Sequence, residues 1–368
     1  MADKVTKGRN ARRLRIAYDA RLLVHDRQPS GIPVYARELV TAIAQWVDPV
    51  LLTDGPGRDE DIPGEWLSIS RMPGWQQVRL PGTLLRIRPD VFHSLHFTLP
   101  LSIRCPSVVT IHDLAFWNMP EVVEKKTRDY LRRWVPPSLR VATRIIVPSH
   151  HVKEELVRTF RVDPQRVAVV PHGVGAPFTS RKEPSESAPL PWPYLLAVAT
   201  LDPRKNLGRV IGAFSLEVRR VPALEHHLIL VGRPGCDEEN IRRIIAEHQL
   251  VDRVHLLGYV PREAVARLYR HAALLLFPSL YEGFGLPALE AMMSECMVVT
   301  SADSAMSEFV GEFGVQVDPH HVEAIAVGIR EGLRRSSSAA TAAFAQQFTW
   351  DRSALATVAV YRQAVGGG

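Results

Sequence analysis

The sequence predicts an α/β protein built from two halves that each contain a parallel β-sheet. Short apolar runs alternate with amphipathic stretches, which is the pattern of βαβ units. This alternation occurs twice, on either side of residues 179–192, a segment rich in Pro, Ser, Glu and Lys without hydrophobic periodicity. At 368 residues the chain is too long for one typical core and suits two. We therefore expect a first domain at 1–180, a linker at 181–192, a second domain at 193–343, and a final helix at 344–368 that packs back toward the first domain.

Hydrophobic periodicity places the individual elements. In the first half, strands are predicted at 14–18, 91–95, 108–112, 144–147 and 167–170, and helices at 33–46, 121–141 and 150–160. In the second half, strands are predicted at 194–199, 228–231, 253–257, 273–277 and 297–300, and helices at 207–220, 238–249, 262–271, from 286, and at 321–334. Pro33 suits the first turn of its helix, and Ser149 suits a helix cap. Ligands of open parallel sheets bind beyond the carboxyl ends of the strands, so function is expected in the loops there, facing a cleft between the halves.

Composition excludes several classes of protein. Hydrophobic residues make up 46% and charged residues 23%, as in ordinary globular proteins. Cys105, Cys236 and Cys296 form no C-x-x-C pair, so neither a zinc ribbon nor a disulfide framework is supported, and free thiols fit a reducing cytosol. No signal peptide is evident, and the longest aliphatic run, residues 272–277, is too short to span a bilayer. We expect a cytoplasmic protein that at most contacts the inner face of the membrane.

The net charge of +6 favours anionic partners such as nucleotides or acidic lipids, although a solvated basic surface explains it equally well. Much of the excess is arginine in the first half, which allows an anionic membrane as a peripheral partner. Nucleic acid is not an expected partner, because no motif interleaves aromatic and basic residues.

The segment 279–293 carries the clearest site signal. It follows a buried strand, and Gly283 and Gly285 would let backbone N–H groups approach a ligand at the start of the next helix. Glu282 and Glu290 can accept hydrogen bonds from sugar or ribose hydroxyls. Glu290 lies among apolar residues, where a carboxylate normally has a partner. The alternative is a glycine-rich turn with two solvated acids.

Three further loops follow predicted strands. Arg204 and Lys205 could neutralise a diphosphate leaving group, or could be solvated charges beside Asn206 as an ordinary helix cap. His112 could move a proton at a cleft, or could be a core histidine with Asp113 capping the next turn. Gly31 could serve a phosphate or an acceptor, or be a plain loop residue. No G-x-G-x-x-G and no Walker sequence supports a dehydrogenase or a P-loop ATPase.

Together these segments resemble the retaining GT-B glycosyltransferases of family 4, most closely the bacterial mannosyltransferases of polysaccharide assembly. The resemblance covers nearly the whole chain. It rests on the segments 18–23, 35–39, 93–97, 110–114, 170–174, 200–206, 228–232, 257–260 and 279–292. The E-x₇-E spacing of Glu282 and Glu290, framed by Glu-Gly-Phe-Gly-Leu-Pro, is its most specific element.

The resemblance implies a function and a set of roles. It implies metal-independent transfer of a hexose, with GDP-mannose the first candidate donor, to a glycan, a lipid-linked or a small-molecule acceptor held on the first half. Arg204 and Lys205 would hold the donor diphosphate, Glu282 the donor sugar, and His112 would lie at the reacting centre. The remaining donor-site residues would be Gly31, Asp113, Tyr259, Val260, Gly283, Phe284, Gly285, Leu286 and Glu290.

Some positions depart from the family pattern, namely Pro33, Ala199, Glu295, Met297 and Ser307. They bear on loop shape and substrate choice more than on catalysis. Two alternatives follow: a UDP-sugar-dependent transferase of the same fold, and a degenerate relative that only binds a nucleotide sugar or a partner protein.

Overall fold

The computed structural model describes residues 12–25, 31–70, 74–178, 186–335 and 337–366. The strands of the first sheet are β1 Arg15–Asp19, β2 Asp48–Thr53, β3 Glu65–Ser68, β4 Val91–Ser94, β5 Ser107–Thr110, β6 Arg144–Val147 and β7 Val167–Val169. Those of the second are β8 Tyr194–Val198, β9 His227–Val231, β10 Val254–Gly258, β11 Leu274–Phe277, β12 Val298–Ser301 and β13 Val315–Val317. The strand orders are β3-β2-β1-β4-β5-β6-β7 and β10-β9-β8-β11-β12-β13.

Helices connect the strands. They are α1 Arg21–His25, α2 Ile32–Ile43, α3 Leu80–Ile87, α4 Ala115–Asn118, α5 Lys125–Val141, α6 His150–Phe160, α7 Leu207–Arg220, α8 Glu238–Glu247, α9 Arg262–His271, α10 Leu286–Met293, α11 Ser307–Val310, α12 Val322–Arg334, α13 Ala339–Ala345 and α14 Trp350–Gly366. The pairs β1–β2, β1–β4, β8–β9 and β8–β11 are parallel, and so are the pairs toward the sheet edges for which the register is known. The predicted α/β class with two Rossmann-like parallel sheets is confirmed.

The chain forms two compact units that are not continuous in sequence. The first unit comprises the described residues within 1–110, 137–145 and 354–368, and the second those within 111–136 and 146–353. His112 and the segment from Ser149 to Val174 therefore belong to the same unit as the second sheet. Residues 181–185 of the predicted linker lie outside the described residues.

The second sheet is buried on both faces. Along β8, Tyr194 and Leu196 belong to one hydrophobic cluster, while Leu195 and Ala197 belong to another. This alternation follows from the period of two in a β-strand, and it explains why the strand is apolar at every position. The parallel register of β8 with β11 also brings the carboxyl ends of these two strands together.

The end of the chain differs from the predicted continuous helix. Helix α13 ends at Ala345, and α14 begins only at Trp350. The turn between them is held by a distant segment: Val174 N–H donates to the Phe348 carbonyl at 2.8 Å, and a Cβ on Gly173 would lie 2.2 Å from the Trp350 nitrogen. Hydrophobic periodicity reports only on neighbouring positions, so it does not predict a helix break that depends on a contact with a distant segment.

One departure from the family pattern has a visible conformational cost. Glu295 follows α10 with φ +55°, in the left-handed region that glycine adopts without strain. A non-glycine residue there costs about 1 kcal/mol. The glycine that is common at this position in the family therefore has a backbone reason.

Candidate active site

The loop after β8 carries the two predicted cations. Arg204 and Lys205 lie in a short 3₁₀ turn, Pro203–Lys205, and Asn206 follows it with φ 62°. The Asn206 side chain does not cap α7. Its Nδ2 instead donates to the carbonyl oxygens of Pro278 at 2.9 Å and Pro319 at 2.7 Å. The view of Asn206 as an ordinary helix cap is therefore wrong, because the amide joins three loops at the sheet edge.

Glu282 lies between the two cations. Its Oε1 accepts a hydrogen bond from Lys205 Nζ, and its Oε2 lies 3.5 Å from Arg204 Nη1. The Lys205 and Glu282 side chains are each only 10% exposed. The backbone supports the pairing, since Leu280 N–H donates to the Arg204 carbonyl at 2.8 Å. The structure thus brings together three of the four residues predicted to be catalytic.

Burial and the neighbouring charges shift the pKa values of this cluster in opposite directions for the most part. Burial alone would raise the pKa of Glu282, but Lys205 and Arg204 hold that pKa below its usual value. Burial and the adjacent Arg204 lower the pKa of Lys205 against the attraction of Glu282. For Arg204, burial is outweighed by the carboxylates Glu282, Asp113 and Asp202, which raise its pKa. The cluster therefore holds two cations at the strand ends with one carboxylate directly between them.

Gly283 joins this loop to His112. A Cβ at Gly283 would lie 1.7 Å from the His112 carbonyl oxygen, a distance at which no side chain fits. The Gly283 carbonyl in turn accepts a hydrogen bond from Ser149 Oγ at 2.8 Å. Gly283 therefore has a structural role: the absence of a side chain lets its loop pack directly against the segment that carries His112.

Tyr281 fixes the same loop from its other side, and sequence reasoning missed it. Its hydroxyl accepts a hydrogen bond from Leu114 N–H at 3.0 Å and donates one to the buried carboxylate of Glu155. Burial, together with Glu155, raises the pKa of Tyr281, so the hydroxyl remains a donor at every physiological pH. Tyr281 therefore orders the backbone that follows His112 and Asp113.

His112 is buried and lies beside a second histidine. The ring centroids of His112 and His172 are 5.7 Å apart, and those of His172 and Phe284 are 5.0 Å apart. Burial and the neighbouring His112 lower the pKa of His172 well below its usual value, which keeps His172 neutral. His172 was not among the predicted site residues, although it lies within the segment 170–174 on which the family resemblance rests.

The predicted base-side and ribose-side residues lie around one apolar cluster. Phe284 is part of this cluster, and Val260 and Leu286 pack against it. Glu290 accepts a hydrogen bond from Tyr269 Oη at 3.3 Å, so the partner expected for this carboxylate exists. Gly285 immediately precedes α10 with φ +105°, and Tyr259 follows β10 in a partly exposed position.

The two remaining predicted residues have local structural tasks. Asp113 Oδ1 accepts from Ala115 N–H at 3.0 Å, which is the turn cap considered as the alternative for this residue. Gly31 immediately precedes α2 with φ +60° and belongs to the first unit, and Pro33 occupies the first turn of the helix as predicted. Their roles toward a donor stay predictions.

Within the part of the chain that the structure describes, no group of three or more His, Cys, Asp and Glu side chains could hold a metal ion. Metal independence itself stays a prediction. None of the helices in the described ranges is long and apolar enough to cross a bilayer.

Two units that each contain a parallel, Rossmann-like sheet are characteristic of the GT-B fold. Solved structures share the fold. The sucrose-phosphate synthase of Thermosynechococcus elongatus superposes with a TM-score of 0.77 at 20% identity, covering 97% of this chain and 100% of that one. The Anabaena protein HepE, solved with UDP and glucose, superposes with a TM-score of 0.72 at 18% identity, over 96% of this chain and 99% of its own.

Sequence comparison identifies the family. Residues 29–176 match the model of Glycosyltransferase Family 4, and residues 180–345 match that of Glycosyl transferases group 1. The O-antigen chain mannosyltransferase B of Escherichia coli is 30% identical over 284 residues, which cover 74% of each chain. The chain therefore belongs to the group 1, family 4 glycosyltransferases and is a hexosyltransferase.

Proposed function

We propose that this glycosyltransferase moves mannose from GDP-mannose to a glycan, a lipid-linked or a small-molecule acceptor, with retention of the anomeric configuration. The cluster of Arg204, Lys205 and Glu282 is the observation that supports donor-dependent transfer most directly. Support for mannose comes from the similarity to an O-antigen chain mannosyltransferase.

The chemical work assigned to the cluster is stabilisation of the leaving group. As the glycosidic bond of the donor breaks, negative charge develops on the diphosphate, and two preorganised cations lower the energy of that state. Glu282 would accept hydrogen bonds from the donor sugar, and His112 would lie at the transferred carbon. No strong nucleophile is evident among these residues, which favours displacement on the front side of the sugar.

A UDP-sugar is the second candidate donor. It is favoured by one observation, the fold similarity to a protein that was solved with UDP and glucose. The base pocket would be formed near Tyr259 and Val260, where neither residue distinguishes guanine from uracil by its side chain.

A donor screen tests both candidates. Purified protein is incubated with GDP-mannose or UDP-glucose and a panel of acceptor glycosides, in the presence and absence of EDTA, and products are detected by mass spectrometry. We expect transfer from GDP-mannose that EDTA does not reduce and that Lys205→Gln abolishes, with an axial anomeric linkage by NMR. Transfer only from UDP-glucose would select the second donor, and an inverted product would refute the retaining mechanism.

Peripheral contact with the inner face of the membrane stays a proposal as well, and a basic helix face supports it. Lys125, Lys126 and Arg133 of α5 are exposed, and Tyr130 and Trp117 are large exposed aromatic residues nearby in the sequence. Basic and aromatic side chains together favour the headgroup region of an anionic bilayer.

Vesicle sedimentation tests this contact. Replacing Lys126 and Arg133 by glutamine should weaken binding to phosphatidylglycerol vesicles about tenfold or more, at about 1 kcal/mol for each cation. The matched control replaces Arg242 and Arg243, exposed cations on α8, and should bind as the wild type does. Equal binding of all three proteins would disprove the role of α5.

A further inference from the structure

A second polar cluster lies in the first unit, at the carboxyl ends of two neighbouring strands. β1 pairs with β4, with Tyr18 opposite His93. Asp19 is the last residue of β1, and His96 comes two residues after the end of β4. Open parallel sheets bind ligands at this edge, and none of the donor-site predictions uses these side chains.

Asp19 and Arg21 form a rigid pair. Arg21 Nε donates to Asp19 Oδ1 at 2.9 Å, and Nη2 donates to Oδ2 at 2.7 Å, which is a bidentate geometry. The guanidinium carbon of Arg21 also lies 4.1 Å from the ring centroid of the buried Trp75. Despite these contacts the Arg21 side chain remains 32% exposed and that of Asp19 12%. A donor and an acceptor are thus held in place within reach of a ligand.

The third member, His96, adds polarity without charge. His96 follows β4, which pairs with β1 beside Asp19, and it interacts electrostatically with both Asp19 and Arg21. Burial lowers the pKa of His96 to about 4, and it is neutral at pH 7. Because Asp19 and Arg21 compensate each other, the three side chains together carry no net charge. An anionic group gains little from such a site, whereas a ring with several hydroxyls finds donors and acceptors side by side.

We propose that Asp19, Arg21 and His96 bind a neutral sugar ring of the acceptor. This inference rests on the proposed function, since it assumes that the first unit holds the acceptor during glycosyl transfer. The carboxylate of Asp19 accepts from one sugar hydroxyl, the guanidinium of Arg21 donates to its neighbour, and the uncharged imidazole of His96 contacts a third. Trp75 fixes the plane of the guanidinium.

Saturation-transfer NMR with methyl α-D-mannopyranoside tests the site directly. Saturating GDP or UDP is added to fill the nucleotide site, and the variants below separate binding on the acceptor side from binding at the donor-sugar position near Glu282. Asp19→Asn and Arg21→Gln remove one member of the pair each. The control is Arg12→Gln, which removes an exposed cation that precedes β1 at the opposite end of the strand and pairs with Asp90. Melting curves of each variant with and without GDP verify folding and nucleotide binding separately.

The expected result is saturable binding of the glycoside to the wild type and to Arg12→Gln, weakened about tenfold in Asp19→Asn and Arg21→Gln, a loss of about 1.4 kcal/mol. Inorganic phosphate should not compete. No binding to the wild type, equal binding to all variants, or displacement of the glycoside by phosphate would each overturn the proposal. If no nucleotide raises the melting temperature of the wild type, the proposed function fails instead, while the glycoside series still decides the sugar site.

Discussion

Replacing Glu282 by glutamine removes one negative charge from between Arg204 and Lys205 and leaves the shape of the side chain nearly unchanged. In the wild type this carboxylate is buried and contacts both cations. The variant therefore buries two cations without their shared partner. We expect two opposite effects: a less stable free protein, and a site that gains more from an incoming diphosphate.

The size of the stability loss in Glu282→Gln follows from the burial of the Lys205–Glu282 ion pair. Breaking a buried ion pair by removing one partner costs about 3–5 kcal/mol, and glutamine keeps a hydrogen-bond acceptor, so the low end of about 3 kcal/mol applies. For a unit of this size the melting temperature should fall by about 6–12 °C. A bound diphosphate supplies the missing negative charge, so the rise in melting temperature on adding GDP or UDP should be larger in the variant than in the wild type.

The assay compares a nucleoside diphosphate with a nucleotide sugar. Differential scanning fluorimetry is run on wild type and Glu282→Gln with no ligand, with GDP, and with GDP-mannose, and the corresponding UDP pair is run in parallel. The melting temperature of the variant should rise strongly with the diphosphate, and the nucleotide sugar should raise it no further. The transfer rate of the variant should fall at least about 100-fold, which corresponds to a loss of roughly 2.7 kcal/mol of transition-state stabilisation. Glu247→Gln, which removes an exposed partner of Arg243, is the control and should change stability by less than about 1 kcal/mol.

Two results would refute this reasoning. A variant as stable as the wild type would mean that the carboxylate does not compensate the two cations. A variant that still distinguishes the nucleotide sugar from the diphosphate, with unchanged turnover, would remove Glu282 from the sugar site.

Three further predictions concern the loops around this cluster. Gly283→Ala should destabilise the protein by about 3 kcal/mol or more and abolish transfer, because the new methyl group collides with the His112 carbonyl. The control is Gly82→Ala, in an open helical position, which should stabilise the protein by about 0.5–1 kcal/mol. Both changes are measured by urea unfolding. Asn206→Ala should cost about 2–4 kcal/mol, because three side-chain hydrogen bonds are lost, to Pro278, Pro319 and Arg209. Asn206→Gly should cost about 1 kcal/mol less than Asn206→Ala, because glycine tolerates the positive φ, and equal losses would contradict this backbone contribution. Because folding lowers the pKa of Glu282, its stabilising contribution is complete above the ordinary glutamate pKa of about 4.3 and is lost as the pH falls through the lower pKa of the folded state. Acid titration of the melting temperature should therefore be flatter in Glu282→Gln than in the wild type, and parallel curves would contradict it.

Local periodicity was sufficient for the elements whose apolar pattern is strong. Helices α7 and α9 and strand β6 have the bounds that the sequence predicts. The missed strands β3 and β13 are at sheet edges, where burial is incomplete and a continuous apolar run is not needed: β3 is partly exposed throughout, and Gln316 at the centre of β13 is exposed. Strand β2 was missed although it is buried, because it opens on Asp48 and Pro49 beside a predicted helix end.

The candidate site was predictable only as far as its motifs reach. Loops after strands identified Arg204, Lys205, Glu282 and His112, because the carboxyl ends of parallel strands share one edge. The residues that hold those loops carry no such signal. Tyr281 and Glu155 are 126 positions apart, and nothing in either sequence neighbourhood indicates the other. Their contact depends on tertiary packing, which a single sequence does not record.

The packing of Gly283 against the His112 carbonyl has a consequence for protein engineering. The loop that would grip the donor sugar and the loop that carries the histidine share one interface without room for an added atom, and Ser149 bonds to the same glycine. Neither loop can be remodelled alone without straining the other. A chimaera that borrows the segment 279–293 from a relative with a different donor should therefore lose function unless segments 110–114 and 149–152 are transplanted with it.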